Sequence, residues 1–200
     1  MTGEKQEIQI GICQNTDAAG LEEVCEVIRA AQDAEYEVSG IRYNTHGIDG
    51  SKLSQILAQS GGVCYTALAE GRIVGTLSVV PMKLDTWYLK GTAYMIKYVA
   101  VLASYQGRHI ASMLVGQVIR DFGGREGTIT VSTDIRNRHA VHLYERNGFL
   151  AVDITRGRKA KGNAIKLAYW KDGCPYSTGR IRRQLRLAAI KCKVKEWIRY

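Results

Sequence analysis

VAVLASYQGRHIASML (residues 99–114) and NRHAVHLYERNGF (residues 137–149) are the two stretches on which the fold turns. The first reads as a strand that runs into a turn at Gly107 and then into a helix. The second reads as a helix opened by Asn137, a good N-cap residue. Ala140, Leu143 and Tyr144 follow at spacings of three and four, so they share a face. Gly148 is a natural residue to follow a helix end, and Phe149 begins a new strand. A strand-turn-helix of the first kind presents a helix N-terminus, whose free N–H groups and positive dipole end attract phosphate. Gly107 permits close approach of a ligand to the backbone, Ala111 keeps the helix face slim, and Arg108 adds a cation. Read from pattern alone, Tyr144 is an amphipathic core tyrosine with its hydroxyl at the rim.

Outward from these segments, the periodicities assign the remaining elements. Residues 7–13 alternate apolar and polar positions and predict a strand. Asp17 is placed to cap a helix through about Gln32, with Leu21, Val24, Cys25 and Ile28 on its apolar face. Residues 35–47 read as irregular and polar. A short helix begins at Ser51 and ends at Gly61-Gly62. Residues 63–69 and 72–80 are β-branched runs separated by Glu70-Gly71, a hairpin signal. Residues 81–90 read as a connection containing Trp87 and Tyr88. Strands follow over 92–102, 128–133, 149–154 and 164–170, with helices over 108–122 and 137–147 and a basic turn over 157–162. The order β-α-α-β-β-β-α-β-α-β-β interleaves helices with strands around a hairpin. It predicts an α/β (α+β) fold, a mixed sheet with helices on both faces.

Composition bounds the function. The 200 residues suffice for one sizeable domain, with 46% hydrophobic and 24% charged residues as in an ordinary globular protein. No apolar run reaches the ~20 residues of a membrane span, and the first thirteen residues lack the long apolar core of a signal peptide. Five scattered cysteines without a CxxC pair argue against a disulfide framework or a structural zinc and fit a reducing cytoplasm. His139 and His142 lack a third ligand pattern, so no metal site is expected. Residues 1–100 hold 8 basic and 12 acidic side chains; residues 101–200 hold 20 and 7, a net +13. An anionic cofactor or a polyanionic partner such as nucleic acid suits the second half, as does a solvated basic face.

The paired segments resemble the GNAT superfamily of N-acetyltransferases. Gln106-x-x-x-x-Ala111 is similar to its acetyl-CoA loop, Q/R-x-x-G-x-G/A. Asn137, Ala140, Leu143, Tyr144, Gly148 and Phe149 are similar to its second signature, and the element order over residues 7–170 suits its fold. One position departs: His109 stands where the pattern has its inner glycine.

The resemblance implies a centrally splayed sheet and acetyl-CoA as co-substrate. It implies that the backbone of Gln106, Gly107, Arg108, His109, Ile110 and Ala111 holds the diphosphate. The strand Val99, Ala100, Val101 would pair with the pantetheine arm, and an N–H near Val101 would polarise the thioester carbonyl. Asn137, Ala140 and Tyr144 would meet the cofactor arm, and Tyr144 would protonate the departing thiolate.

No carboxylate or histidine lies in residues 94–101, where such enzymes place a base or its water. Glu70, Asp85 and Asp134, near strand ends, are the alternatives, beside a water relay. The acceptor cleft is expected from residues 32–50 and 81–90, with Trp87, Tyr88 and Tyr94 as aromatic lining.

Residues 1–170 are expected to form the acetyltransferase domain and 171–200 a basic helical extension. In that extension Ile181, Leu185, Ala188 and Cys192 form one apolar stripe, and Leu187, Ile190, Val194 and Trp197 a second. It would pack on its own domain or on a partner subunit in a homodimer; alternatively it offers a platform to RNA, DNA or an acidic membrane. The acceptor is expected to be the amine of a small molecule or peptide. The alternatives are an aminoacyl-tRNA or other nucleic-acid-linked amine, and a non-catalytic CoA-binding or interaction role.

Overall fold

A computed structural model of the chain describes residues 8–13, 18–43, 47–156 and 162–194. The element order is β1 (Ile8–Cys13), α1 (Ala18–Ser39), α2 (Gly50–Ser60), β2 (Val63–Ala69), β3 (Arg72–Asp85), β4 (Lys90–Val101), α3 (Ile110–Phe122), β5 (Thr128–Asp134), α4 (Arg138–Arg146), β6 (Leu150–Thr155), β7 (Ala164–Tyr169) and α5 (Thr178–Cys192). The strands join in one seven-stranded, mostly antiparallel sheet, hydrogen-bonded in the order β1-β2-β3-β4-β5-β7-β6 and flanked by helices. The mixed α/β architecture expected from the sequence is the one observed. The chain divides into two units, Met1–Pro81 with Ile96–Val118, and Met82–Met95 with Ile119–Tyr200.

In the first unit, β1 pairs antiparallel with β2 from Ile8↔Ala69 to Cys13↔Cys64. β2 and β3 form the expected hairpin, closing on Ala69↔Arg72. Glu70 and Gly71, between them, have φ of 52° and 75°. Two successive positive φ values make a type I′ turn, whose twist matches that of the strands. α1 and α2 bury Leu21, Val24, Cys25, Ile28, Leu53 and Leu57 in one core cluster that includes Ala100 of β4. Asp49 caps α2, its Oδ1 accepting the Lys52 N–H at 2.8 Å. The proposed cap Asp17 lies outside the described residues.

Two boundaries depart by five residues or more from the sequence reading. Helix α1 continues to Ser39, through residues read as irregular. Its last turns are exposed, with Val38 90% accessible, so no apolar periodicity marks them. Instead Gly40, at φ 67°, ends the helix with its N–H on the Tyr36 carbonyl at 2.9 Å. Strand β3 runs on through Pro81 to Asp85, so most of the expected 81–90 connection is strand. The β2 ladder ends at Val63↔Val79. Pro81 lies beyond it and forgoes no donor on that side.

In the second unit, β7 pairs antiparallel with β5 and with β6. The turn between β3 and β4 is closed by the Thr86 N–H on the Leu89 carbonyl at 2.7 Å. Tyr88 is buried there beside Ala93, Val152 and Ala168, and Trp87 packs on its rim. Trp87 also meets Tyr176, with ring centroids 5.5 Å apart. Helix α5 is docked on β6. Its buried face is Ile181, Leu185, Ala189 and Cys192. Ala189, not the expected Ala188, sits at the centre, with 0% exposure. The Cys192 thiol donates to the Ile154 carbonyl at 3.5 Å, and Asn163 Nδ2 donates to the Cys192 carbonyl at 3.1 Å. Of the second apolar stripe, Leu187 and Ile190 are about half exposed and Trp197 lies outside the described residues. Most of the predicted basic turn over 157–162 lies outside them too.

Candidate active site

In the first unit the site is built where β4 passes into α3. Tyr98 takes φ 53° inside the strand, and the buried positions of β4 become Ala93, Ile96 and Ala100 instead of every second residue. No sequence signal marks this, since tyrosine has no preference for left-handed backbone. The Tyr98 ring packs against the α1–α2 core. Burial, and then the nearby Cys25, push its phenol pKa up.

Past Val101 the chain is pinned at both sides of a short 3-10 turn, Ala103–Tyr105. The Leu102 N–H donates to the Val74 carbonyl at 2.9 Å. Gln106 Nε2 donates to the Val101 carbonyl at 3.4 Å. The Gln106 side chain thus braces the end of β4, a role distinct from the expected diphosphate contact of its backbone.

Gly107 has φ 76° and His109 φ 61°. His109 therefore adopts the left-handed conformation that the pattern's glycine would supply, at a cost that glycine avoids. Its carbonyl accepts the first intrahelical bond, from the Met113 N–H at 3.0 Å. The helix begins at Ile110, two residues later than Arg108. Ile110 is 2% exposed and reaches β3 because Gly75 is opposite it. A Cβ on Gly75 would meet Ile110 Cγ2 at 3.0 Å and the Ala100 carbonyl oxygen at 3.3 Å. A helix start carries backbone N–H groups that point away from the carbonyls of its own helix and can face a ligand. Residues 106–109 are exposed, and Arg108 lies over the Tyr105 ring at 4.9 Å. A Cβ at Gly107 would find nothing within 4 Å. An open, left-handed backbone turn feeding a helix N-terminus is a fitting cradle for a diphosphate.

The loop ahead of α2 is held by Glu22. It accepts from the Gly50 N–H at 2.7 Å and from Arg29 Nη2 at 2.7 Å. These bonds hold its carboxyl below the usual range. Arg29 Nη1 also donates to the Ile48 carbonyl at 2.9 Å.

In the second unit, Asn137 caps α4, its Oδ1 accepting the Ala140 N–H at 2.9 Å. Asp134 shapes the approach to it. Its carboxylate takes Arg136 Nε at 2.9 Å and Nη2 at 2.8 Å, and its carbonyl takes the Asn137 N–H at 2.9 Å. Burial works to raise the Asp134 pKa, but the side-chain and backbone bonds from Arg136 outweigh it and hold the carboxyl down. Such an acid is tied to the turn and is a poor proton acceptor.

The buried face of α4 is Val141 and Tyr144, with Ala140 and Leu143 half-buried; Val141 is the anchor that the sequence reading lacked. Tyr144 is 3% exposed and its ring stands edge-on to Phe149 at 5.6 Å. The helix ends with Gly148 at φ 85°. The Phe149 N–H reaches the Tyr144 carbonyl at 3.1 Å and the Gly148 N–H the Glu145 carbonyl at 3.0 Å, a Schellman motif.

Of the other proposed bases, Glu70 is exposed at the β2–β3 turn, and Asp85 is exposed at the end of β3 with Lys90 Nζ at 3.9 Å. Among the described residues there is no group of three or more His, Cys, Asp or Glu side chains placed to hold a metal ion. No described helix is long and apolar enough to cross a membrane.

The fold and these two segments define an acyltransferase domain. The chain belongs to the acetyltransferase (GNAT) family, whose model matches residues 23–149. No curated protein matches the chain. Solved structures share its fold at low identity. Arabidopsis thaliana NAA60 in complex with acetyl-CoA is 18% identical with a TM-score of 0.59, over 84% of this chain and 100% of that one. A GNAT-family acetyltransferase of Streptococcus agalactiae is 13% identical with a TM-score of 0.64, over 84% and 100%. The ribosomal-protein-S18-alanine N-acetyltransferase of Escherichia coli is 15% identical with a TM-score of 0.58, over 82% and 93%.

Proposed function

We propose that the protein transfers an acetyl group from acetyl-CoA to a primary amine by direct attack, without a covalent enzyme intermediate. The observation that carries this reading is the backbone at Gly107 and His109, φ 76° and 61°, opening α3. His109 stands where the resembling acetyl-CoA loop pattern has glycine, and its backbone is left-handed, as a glycine's readily is.

The N–H groups from Gly107 to Ala111 receive the diphosphate, and Arg108 adds charge. The main chain of Val99 to Val101 takes the pantetheine arm, and the resemblance assigns cofactor contacts to Asn137 and Ala140. As the amine nitrogen bonds to the carbonyl carbon, negative charge gathers on the oxygen and is met by an N–H near Val101. The C–S bond then breaks and the sulfur takes the Tyr144 proton. The amine's own proton leaves to water, since the candidate acids are exposed or, like Asp134, already engaged. The acceptor is the amine of a peptide or small molecule, which the resemblance to an enzyme acting on a ribosomal protein supports.

The test is calorimetric titration with acetyl-CoA, followed by thiol release with a panel of peptide and small-molecule amines. Saturable binding with amine-dependent thiol release is expected. Absence of acetyl-CoA binding refutes the reading; binding without turnover on any amine favours a non-catalytic CoA-binding protein.

A further inference from the structure

We propose that the outer face of α5 is a docking surface for an anionic lipid membrane. Ile181, Leu185, Ala189 and Cys192 are spent on the contact with β6. On the opposite side Leu187 and Ile190 lie one turn apart, 52% and 53% exposed. Around them stand Arg182, Arg183, Arg186 and Lys191, all exposed. The sequence places no carboxylate between Asp172 and Glu196. Among the described residues none of Arg182, Arg183 and Arg186 is paired with an acid.

The face is preformed. Arg156 Nη2 donates to the Lys191 carbonyl at 3.2 Å and the Asn163 amide to that of Cys192, so the helix does not have to fold on contact.

Charge complementarity selects the occupant. A second copy of the chain would set arginine against arginine. A polynucleotide would satisfy the cations but not two aliphatic side chains at their centre, and the exposed face of α5 offers no aromatic ring for a base to stack on. A bilayer of acidic lipids satisfies both: phosphates meet the guanidinium groups while Leu187 and Ile190 enter the headgroup–acyl boundary. The binding is peripheral.

The test is co-sedimentation of the full chain with phosphatidylcholine vesicles, with or without phosphatidylserine, beside a competing RNA oligomer. Binding to the serine-containing vesicles alone is expected, weakening steeply as salt rises from ~0.1 M to ~1 M and the screening length falls from about 10 to about 3 Å. The double variant Leu187→Gln with Ile190→Gln is expected to bind roughly tenfold more weakly, and the triple variant Arg182→Gln, Arg183→Gln, Arg186→Gln at least as weakly. Both should keep the parent's thermal midpoint, because the changed side chains are exposed. Failure to bind acidic vesicles, or preference for the RNA over the vesicles at equal phosphate, overturns the proposal. So does vesicle binding that is indifferent to Leu187 and Ile190.

Discussion

Replacing His109 by glycine should stabilise the protein, although it deletes a side chain at the turn proposed to hold the diphosphate. His109 holds φ 61°. For a residue with a Cβ that conformation costs roughly 1–2 kcal/mol. Glycine removes the cost but returns roughly 0.4–1 kcal/mol through the greater freedom of the unfolded chain. The His109 side chain is exposed, so little packing is lost. The balance is a gain of about 0.5–1 kcal/mol, which for a chain of this size raises the melting temperature by roughly 1–4 °C. His109→Val should do the reverse, since a β-branched residue is poorly tolerated there. Gly107→Ala supplies a control, because φ is 76° and nothing lies within 4 Å of the added methyl. Any destabilisation there is backbone strain less the gain from a stiffer unfolded chain, with no steric clash. The assay is thermal unfolding of the three variants beside the parent, with acetyl-CoA titration of each. His109→Gly should bind acetyl-CoA at least as tightly as the parent, because the backbone it needs is already in place. A His109→Gly variant that melts below the parent, or a His109→Val variant that melts with it, would refute the reasoning.

Tyr144→Phe keeps the ring beside Phe149 but removes the proposed acid; turnover should fall by about 10²–10⁴ with acetyl-CoA affinity unchanged, and undiminished turnover excludes Tyr144 as donor. Cys25 is 0% exposed, and burial, followed by the charge of Glu22, pushes its pKa up to about 11. The unfolded thiol, near pKa 8.5, ionises first, so the contribution is intact below that pH and lost as pH rises towards 11, at about 1.4 kcal/mol per unit. Denaturant melts of the parent and Cys25→Ala between pH 8 and 11 should show a shallower decline in the variant; parallel declines refute it. Leu185→Ala, at a position 2% exposed, should cost about 2–5 kcal/mol. Leu187→Ala should stay within about 0.5 kcal/mol; equal losses would mean that α5 is docked on a different face.

Elements with a buried face were legible in the sequence. The β2–β3 hairpin, α3 and α4 announced themselves because apolar spacing and turn residues both pointed the same way. The second half of α1 did not, since an exposed helix leaves no periodicity, and only Gly40 could have extended it. The end of β3 was misread because proline breaks a ladder only where a partner needs its N–H, and whether a partner is present is not a local property. On α4, Val141 escaped notice because the tyrosine drew the face one residue aside.

The amino-acid sequence was enough for the family, because the resemblance rests on residue types at fixed spacings along the chain. Conformation came from the folded chain. His109 reads as a defect in the glycine pattern, yet it is held in the glycine's own left-handed geometry by a loop braced through Gln106 and a helix start seated on Gly75. Tyr98 takes left-handed backbone inside β4 without any local signal. Asp134 is an acid near a strand end in the sequence and, at the end of β5 in the fold, an acid bound by Arg136. For His109 and Tyr98 the deciding quantity is a backbone dihedral that residue identity does not dictate; for Asp134 it is a local bond to Arg136, two residues on, which the spacing permits but does not require.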